Sequence, residues 1–228
     1  MKKNKLLIFI VLTYLFNLNA VSQPTLDNNK LNHINGKVWI PKDNIKIYNS
    51  FFQENLSLNG SLFMSNSWVH NENFGFDLDN HNVIKNISSQ DNTKRYIVLN
   101  KEELSDFTIT NPIGSYHFKR GDLLHQDLNP NHYYQVIKSA NKNILFLIEW
   151  NLEKKLSTAE NVNFKIVADN KIYAVTSSNL HEISSKKDVY DAFQISKKEI
   201  ALHFRKNNIK FRKDSPIDIV STLQYFIH

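Results

Sequence analysis

The chain changes its hydrophobic period once, and that change limits the possible folds more than any other feature. From residue 36 to about 178, apolar residues alternate or form short runs punctuated by Asn, Asp and Pro, the pattern of β-strands. Beyond 178 they recur at helical spacing. Strands first and helices last predict an α+β protein: an antiparallel β-rich body followed by two or three short C-terminal helices. The clearest hairpin is NFKIVA-DN-KIYAVT, with Asp169-Asn170 as a two-residue turn, because Asn tolerates the positive φ such turns need. That pairing puts Phe164, Ile166, Tyr173 and Val175 on one face. A second hairpin is expected at YYQVIK-SANKN-ILFLIEW. Residues 144–148 are apolar on both faces there, as in a central strand covered on both sides. Earlier strands are expected at 37–40, 45–51, 62–69 and 95–99.

In the C-terminal part, Ser196-Lys-Lys-Glu199 has the spacing of a capping box. Phe193, Ile200, Ala201 and Phe204 are expected on one helical stripe. Ser215-Pro216 suits an N-cap and first helical position. Behind it Ile219, Val220, Leu223, Phe226 and Ile227 follow helical spacing. Each helix has a single apolar face, so the helices are expected to dock on the sheet or on one another.

The first 22 residues have the layout of a cleavable secretory signal peptide. Lys2, Lys3 and Lys5 make a positive start, residues 6–16 an apolar core, and Ala20 and Ser22 occupy the −3 and −1 positions for a cut before Gln23. The apolar core is about half the length that spans a bilayer. Residues 23–35 are polar and read as a mobile leader, 36–178 as the β-rich body and 179–228 as a basic helical tail. With no cysteine in the chain, a lipid-bearing lipoprotein cysteine, disulfides, thiol nucleophiles and thiolate metal sites are excluded. An exported, periplasmic or extracellular location follows as the expectation, with no membrane-spanning segment after cleavage.

Charge is unevenly placed. Removing Lys2, Lys3 and Lys5 lowers the formal charge from +6 to +3. Residues 186–213 hold nine Lys or Arg against Asp188, Asp191 and Glu199, a local +6, which leaves the rest of the mature chain at −3. With only five glycines, there is no GxGxxG and no GxxxxGK[ST], so nucleotide-binding folds that need those loops are not expected. No cofactor is expected.

The stretch from about Tyr133 carries a further pattern: YYQVIKSANKNILFLIEW, then NKIYAV, then SSKKDVYDAFQISKKEIALHFRKNNIKFRKDSPIDIVSTLQYF. It resembles the C-terminal half of a group of small exported flavobacterial proteins that share a YY-strand hairpin and a Lys-rich helical tail. The tail carries most of the likeness: Ser185 to Asp188, Phe193, Lys197 to Ile200, Lys206 to Phe211, and Tyr225. Gln194-Ile195-Ser196 stands where that group has Pro-Asp before its Lys run. The resemblance implies export and the strand-then-helix architecture, and it brings no catalytic residues.

Three polar clusters are candidates for chemistry. Asp122, His125, Asp127 and His132 offer carboxylate and imidazole groups for a divalent ion or an acid–base pair. Their spacing matches no defined ligand motif, and the plainer reading is a surface turn closed by Asn129-Pro130-Asn131. His70, Glu72, Asp77 and Asp79 open like a calcium loop. That pattern then fails, with His81 at the fifth position, Asn82 where Gly is required and Ser88 where the bidentate Glu belongs. Lys197, Lys198, Arg205, Lys206, Lys210, Arg212 and Lys213 form a basic set suited to an anionic surface, although helices often simply expose charge opposite their apolar stripe.

The leading expectation is therefore an exported, non-enzymatic binding or interaction protein of the cell envelope, whose partner is an envelope protein, polysaccharide or lipid; nucleic acid is not expected. One alternative is a metal-assisted or acid–base hydrolase using residues 122–132. Another is an apolar-ligand carrier with a cavity lined by Phe146, Ile148 and Trp150.

Overall fold

The computed structural model describes residues 36–40, 50–88, 94–140, 143–156, 164–177 and 179–226. The expected signal peptide and leader lie outside the described residues, as does most of the strand expected at 45–51. Among the described residues thirteen strands are formed: β1 Lys37–Val38, β2 Leu58–Met64, β3 Ser67–Asp77, β4 Asn82–Ser88, β5 Lys94–Val98, β6 Leu104–Asn111, β7 Gly114–Arg120, β8 Tyr133–Lys138, β9 Ile144–Glu149, β10 Leu152–Leu156, β11 Phe164–Ala168, β12 Lys171–Thr176 and β13 Asn179–Glu182. Three helices follow: α1 Lys186–Phe193, α2 Lys197–Lys206 and α3 Pro216–Phe226. The α+β architecture, strands first and helices last, is thus present. Because β13 lies past residue 178, the sheet extends slightly into the segment expected to be helical.

Eleven strands form one antiparallel sheet in the order β1-β5-β4-β3-β2-β6-β7-β8-β9-β12-β13. It is a meander joined in the middle by β2 pairing with β6. At about 4.8 Å per strand, β3 and β8 would stand roughly 19 Å apart in a flat sheet. The rings of Phe76 on β3 and Tyr133 on β8 nevertheless meet at 6.1 Å, so the sheet curls around its aromatic residues. Phe76 also contacts Phe107 and Phe118 edge-on, and those two stack at 4.8 Å. Phe52 closes the cluster against Phe118 and Trp150. The curl requires close backbone approach at Gly60, where a Cβ would come within 1.8 Å of the Thr108 carbonyl oxygen. Opposite it β3 carries an extra residue, Asn71, at φ 59°, and such bulges sharpen local twist.

The strand expected at 62–69 is two strands. Ser65 and Asn66 both adopt positive φ (49° and 62°) between Met64 and its partner Ser67, the geometry of a two-residue hairpin turn.

The hairpin of β8 and β9 forms as the sequence predicts, and β9 is covered on both faces. Phe146 and Ile148 pack with Ile172 and Ala174 of β12 and with Val189, Ile200, Phe204, Ile219, Val220 and Leu223 of the helices. Leu147 packs on the other face with Leu128 and Tyr134.

The hairpin expected across Asp169-Asn170 does not form. β11 pairs with β10, while β12 pairs with β9 and β13. Both pairings share one register: Lys171 faces Glu149, and Ala168 faces Leu152. β9–β10 and β11–β12 are therefore two arms of one long ribbon, bent where Trp150-Asn151 meets Asp169-Asn170. The bend is pinned by side-chain amides. Asn170 Oδ1 accepts from the Asn151 N–H at 3.0 Å, and its Nδ2 donates to the Lys213 carbonyl at 2.8 Å. Neither Asp169 nor Asn170 has positive φ, so neither plays the turn role expected of it.

The capping box also differs. It belongs to Ser185 and Asp188 at the start of α1, whereas Ser196 precedes α2 without a side-chain cap. Phe193 ends α1, separated from α2 by Gln194 at φ 54°, so it does not share a helix with Ile200 and Phe204. Ala201, expected on the apolar stripe, is exposed. Pro216 does begin α3, with Ile219, Val220 and Leu223 buried.

Candidate functional sites

A histidine–carboxylate centre forms where the curled sheet brings three distant segments together. The loop 78–81 between β3 and β4 supplies His81. Asp77 shapes that loop by accepting from the Asp79 N–H (3.0 Å) and Asn80 Nδ2 (2.8 Å). The loop ends on His81 in left-handed backbone, φ 50°, a conformation that surrounding contacts must hold. Here they do. His81 Nε2 lies 2.9 Å from Asn151 Oδ1, Nδ1 lies 3.4 Å from the Tyr133 N–H, and the ring meets Phe76 edge-on. With the amide oxygen as acceptor, the proton sits on Nε2 and the lone pair on Nδ1. Burial pushes the His81 pKa down to about 4, so the ring is neutral at pH 7.

His132, just before β8, stacks on His81 with ring centres 3.9 Å apart and planes 4° from parallel. Its Nδ1 donates to Glu149 Oε1 at 2.5 Å. Glu149 ends β9 and is 4% exposed; its other oxygen accepts from the Tyr173 hydroxyl at 3.1 Å. Burial acts to raise the Glu149 pKa. The hydrogen bond and charge of His132, with help from His81 and Tyr173, outweigh it and hold the carboxyl below its usual range. The centre therefore contains a buried, ionised carboxylate. Lys101 ties the loops carrying the two histidines, its Nζ donating to the carbonyls of Asn80 (3.0 Å) and Asn131 (2.8 Å). One donor atom each from His81, His132 and Glu149 lies within 4.8 Å of the others, the one such group of three among the described residues.

The first sequence-predicted cluster divides. Asp122 is held by Arg120 through both carboxylate oxygens (2.7 and 3.0 Å), and that hydrogen bonding lowers its pKa. His125 Nδ1 accepts from the Asp127 N–H at 3.2 Å and lies 3.6 Å from the Asp127 carboxylate. Only His132 of the four joins the histidine–carboxylate centre.

The second cluster divides as well. His70 bonds Ser61 Oγ at 3.0 Å and stacks on Trp68; Glu72 pairs with Lys85; Asp79 pairs with Lys154 at 3.4 Å. Asp77 serves its own turn, and burial raises its pKa against those two hydrogen bonds. Ser88 continues β4. His81, which broke the calcium pattern, is the residue the fold uses.

The basic tail presents a second feature. α2 turns Ile200 and Phe204 inward and carries Lys198, Leu202, Arg205 and Lys206 on its outer side. Two cations lie over rings, Lys186 at 5.1 Å from Phe204 and Lys197 at 4.6 Å from Tyr190. Arg212 pairs with Asp214 and Lys213 with Asp169. Lys198, Arg205, Lys206 and Lys210 are exposed and make no ion pair among the described residues. The elbow between α2 and α3 forms an open groove of about 740 Å³. Asn207, Asn208, Ser215, Ser221 and Thr222 line it with amides and hydroxyls, Lys210 and Arg212 with positive charge, and Asp218 with one carboxylate. His203 and Tyr225 stack at 4.5 Å along its side, with Tyr225 largely exposed.

Phe146 and Ile148, which an apolar carrier would need around a cavity, are fully buried against the helices. Trp150 donates to Gln135 at 2.9 Å and packs on Phe52. No helix among the described residues is long and apolar enough to cross a membrane. Compared with known proteins, the chain matches no family model, no curated protein and no solved structure.

Proposed function

We propose that this chain is an exported, non-enzymatic binding protein of the cell envelope, and that its ligand is an acidic polysaccharide. The observation that carries this reading is the polar groove at the α2–α3 elbow, lined by Arg212 and by Lys210, which has no ion-pair partner among the described residues. Amides and hydroxyls in a concave surface suit the hydroxyls of a sugar chain. The cations suit carboxylates or sulfates spaced along the polymer. A bilayer surface fits this site less well, because the groove is concave, polar and contains Asp218. Export rests on the N-terminal segment, and the local charge of +6 in residues 186–213 against −3 in the rest of the chain after removal of residues 1–22 directs an anionic chain to the tail.

The test is calorimetric titration of the purified protein with oligogalacturonate, with a neutral oligosaccharide of equal length as control. Cations near an anionic surface contribute about 1 kcal/mol each. The double variant Lys210→Glu and Arg212→Glu, which reverses both cations lining the groove, is therefore expected to weaken binding at least about tenfold. Added salt should weaken it as well, since the contacts are exposed. Binding of anionic lipid vesicles but not of acidic oligosaccharides would replace this ligand with a membrane surface. Binding of neither would refute the polysaccharide reading and redirect the search to a protein partner.

A further inference from the structure

We propose that His81, His132 and Glu149 form a binding site for one divalent first-row transition ion of the zinc type. The donor set is the first argument. Two imidazoles and a carboxylate are borderline-to-hard ligands that suit such ions, and three protein ligands leave a coordination position for water or a small ligand. Their donor atoms already lie within 4.8 Å of one another, although the residues come from positions 81, 132 and 149 of the chain.

The outer contacts are the second argument. Ligating histidines normally use their other nitrogen to bond a carbonyl or carboxylate, and ligating carboxylates are themselves hydrogen-bonded. His81 gives its Nε2–H to Asn151, which leaves the Nδ1 lone pair for an ion; the present contact of that atom, with the Tyr133 N–H, is long at 3.4 Å. Glu149 has Oε2 held by Tyr173, which leaves Oε1. Lys101 fixes the two loops. The bonds to Asn151 and Tyr173 thus engage atoms that the ion would not use, whereas Glu149 Oε1 is shared with His132 in the ion-free arrangement.

The ion-free arrangement shows what must move. Two parallel rings 3.9 Å apart cannot both aim in-plane lone pairs at one ion. The proton between His132 Nδ1 and Glu149 Oε1 occupies the space that an ion bridging those atoms would take. His132 is the half-exposed member, and His81 and Glu149 are buried. Loading therefore requires the His132–Glu149 hydrogen bond to break, the Nδ1 proton of His132 to pass through solvent to Nε2, and the ring to turn out of the stack as a neutral imidazole, while the other two ligands stay in place. This site is separate from the groove in the helical tail, and either can fail without the other.

The experiment is cobalt and zinc loading of the whole protein after treatment with EDTA and dialysis. One equivalent of Co²⁺ should be retained and give the visible ligand-field absorption of a low-coordinate nitrogen–oxygen site, and Zn²⁺ should displace it. Zinc should also raise the thermal midpoint relative to EDTA. His132→Asn, at a half-exposed position, should keep a wild-type far-ultraviolet circular dichroism spectrum and lose both signals. Glu149→Gln should lose the cobalt absorption, whereas His70→Asn and His125→Asn should retain it. Failure of the wild-type protein to hold cobalt after dialysis would overturn the proposal. So would an unchanged cobalt spectrum in folded His132→Asn, which would assign the binding to other histidines.

Discussion

Replacing Asn170 tests the bent ribbon, because the two possible roles of this residue predict opposite results. In a two-residue hairpin turn, Asn170→Gly would relieve a positive φ and be neutral or stabilising. In the structure Asn170 does not have positive φ and is 5% exposed. Its amide joins the Asn151 N–H to the Lys213 carbonyl, across the ribbon bend and on to the loop before α3. Asn170→Gly and Asn170→Ala both remove two hydrogen bonds and leave a donor and an acceptor without their partner. A hydrogen bond contributes about 1 kcal/mol net, and a buried group left unsatisfied costs about 1–3 kcal/mol. The expected loss is about 2–4 kcal/mol. With a urea slope of about 2–3 kcal/mol/M, the unfolding midpoint should fall by roughly 1 M. Asn170→Asp keeps the acceptor for Asn151 but sets a carboxylate against the Lys213 carbonyl, so it should fall between the two. A Gly variant as stable as wild type would refute the bent ribbon and restore the tight turn.

Three further outcomes follow from the packing and the charges. Phe107→Ala empties the middle of the aromatic cluster, where Phe107 is fully buried against Phe74, Phe76, Phe118 and Tyr133. It should cost about 3–5 kcal/mol in chemical denaturation, and a loss below 1 kcal/mol would contradict the curl of the sheet. Asp188→Ala removes the capping box of α1 and should cost about 1 kcal/mol; Ser196→Ala, which removes no side-chain cap, should cost less. Burial acts to raise the Asp106 pKa, but hydrogen bonds from His117 and Ser105 and the nearby Lys119 hold it below its usual value. A carboxyl lowered on folding stabilises above its unfolded value of about 4 and loses that contribution as pH falls through the folded value. Asp106→Asn should thus be less stable than wild type at pH 7 and approach it in urea titrations run increasingly below pH 4. A stability gap that stays constant with pH would contradict this.

What the sequence made legible was local. The apolar runs of β8 and β9 and the Ser215-Pro216 start of α3 mark their elements because the signals lie within one element. The ribbon bend was hidden because Asp169-Asn170 carries turn chemistry, while the pairing is decided by where β10 runs. Ser185 and Ser196 each precede an acid by three residues, and only the backbone distinguishes which one caps. Asp77 and Asp79 drew attention to a calcium loop whose useful member is His81. No local spacing links His81, His132 and Glu149, because the sheet must curl before they meet. The one member that the sequence offered as a ligand candidate was His132, grouped there with Asp122, His125 and Asp127 rather than with its true neighbours.

The most direct test of the account is amide chemical-shift mapping of the isotopically labelled protein during titration with oligogalacturonate. Saturable shifts are expected at the α2–α3 elbow, at Asn207, Asn208, Lys210, Arg212, Thr222 and Tyr225, with little change at His81, His132 and Glu149. Shifts spread evenly over the sheet, or none at the elbow at saturating ligand, would contradict it.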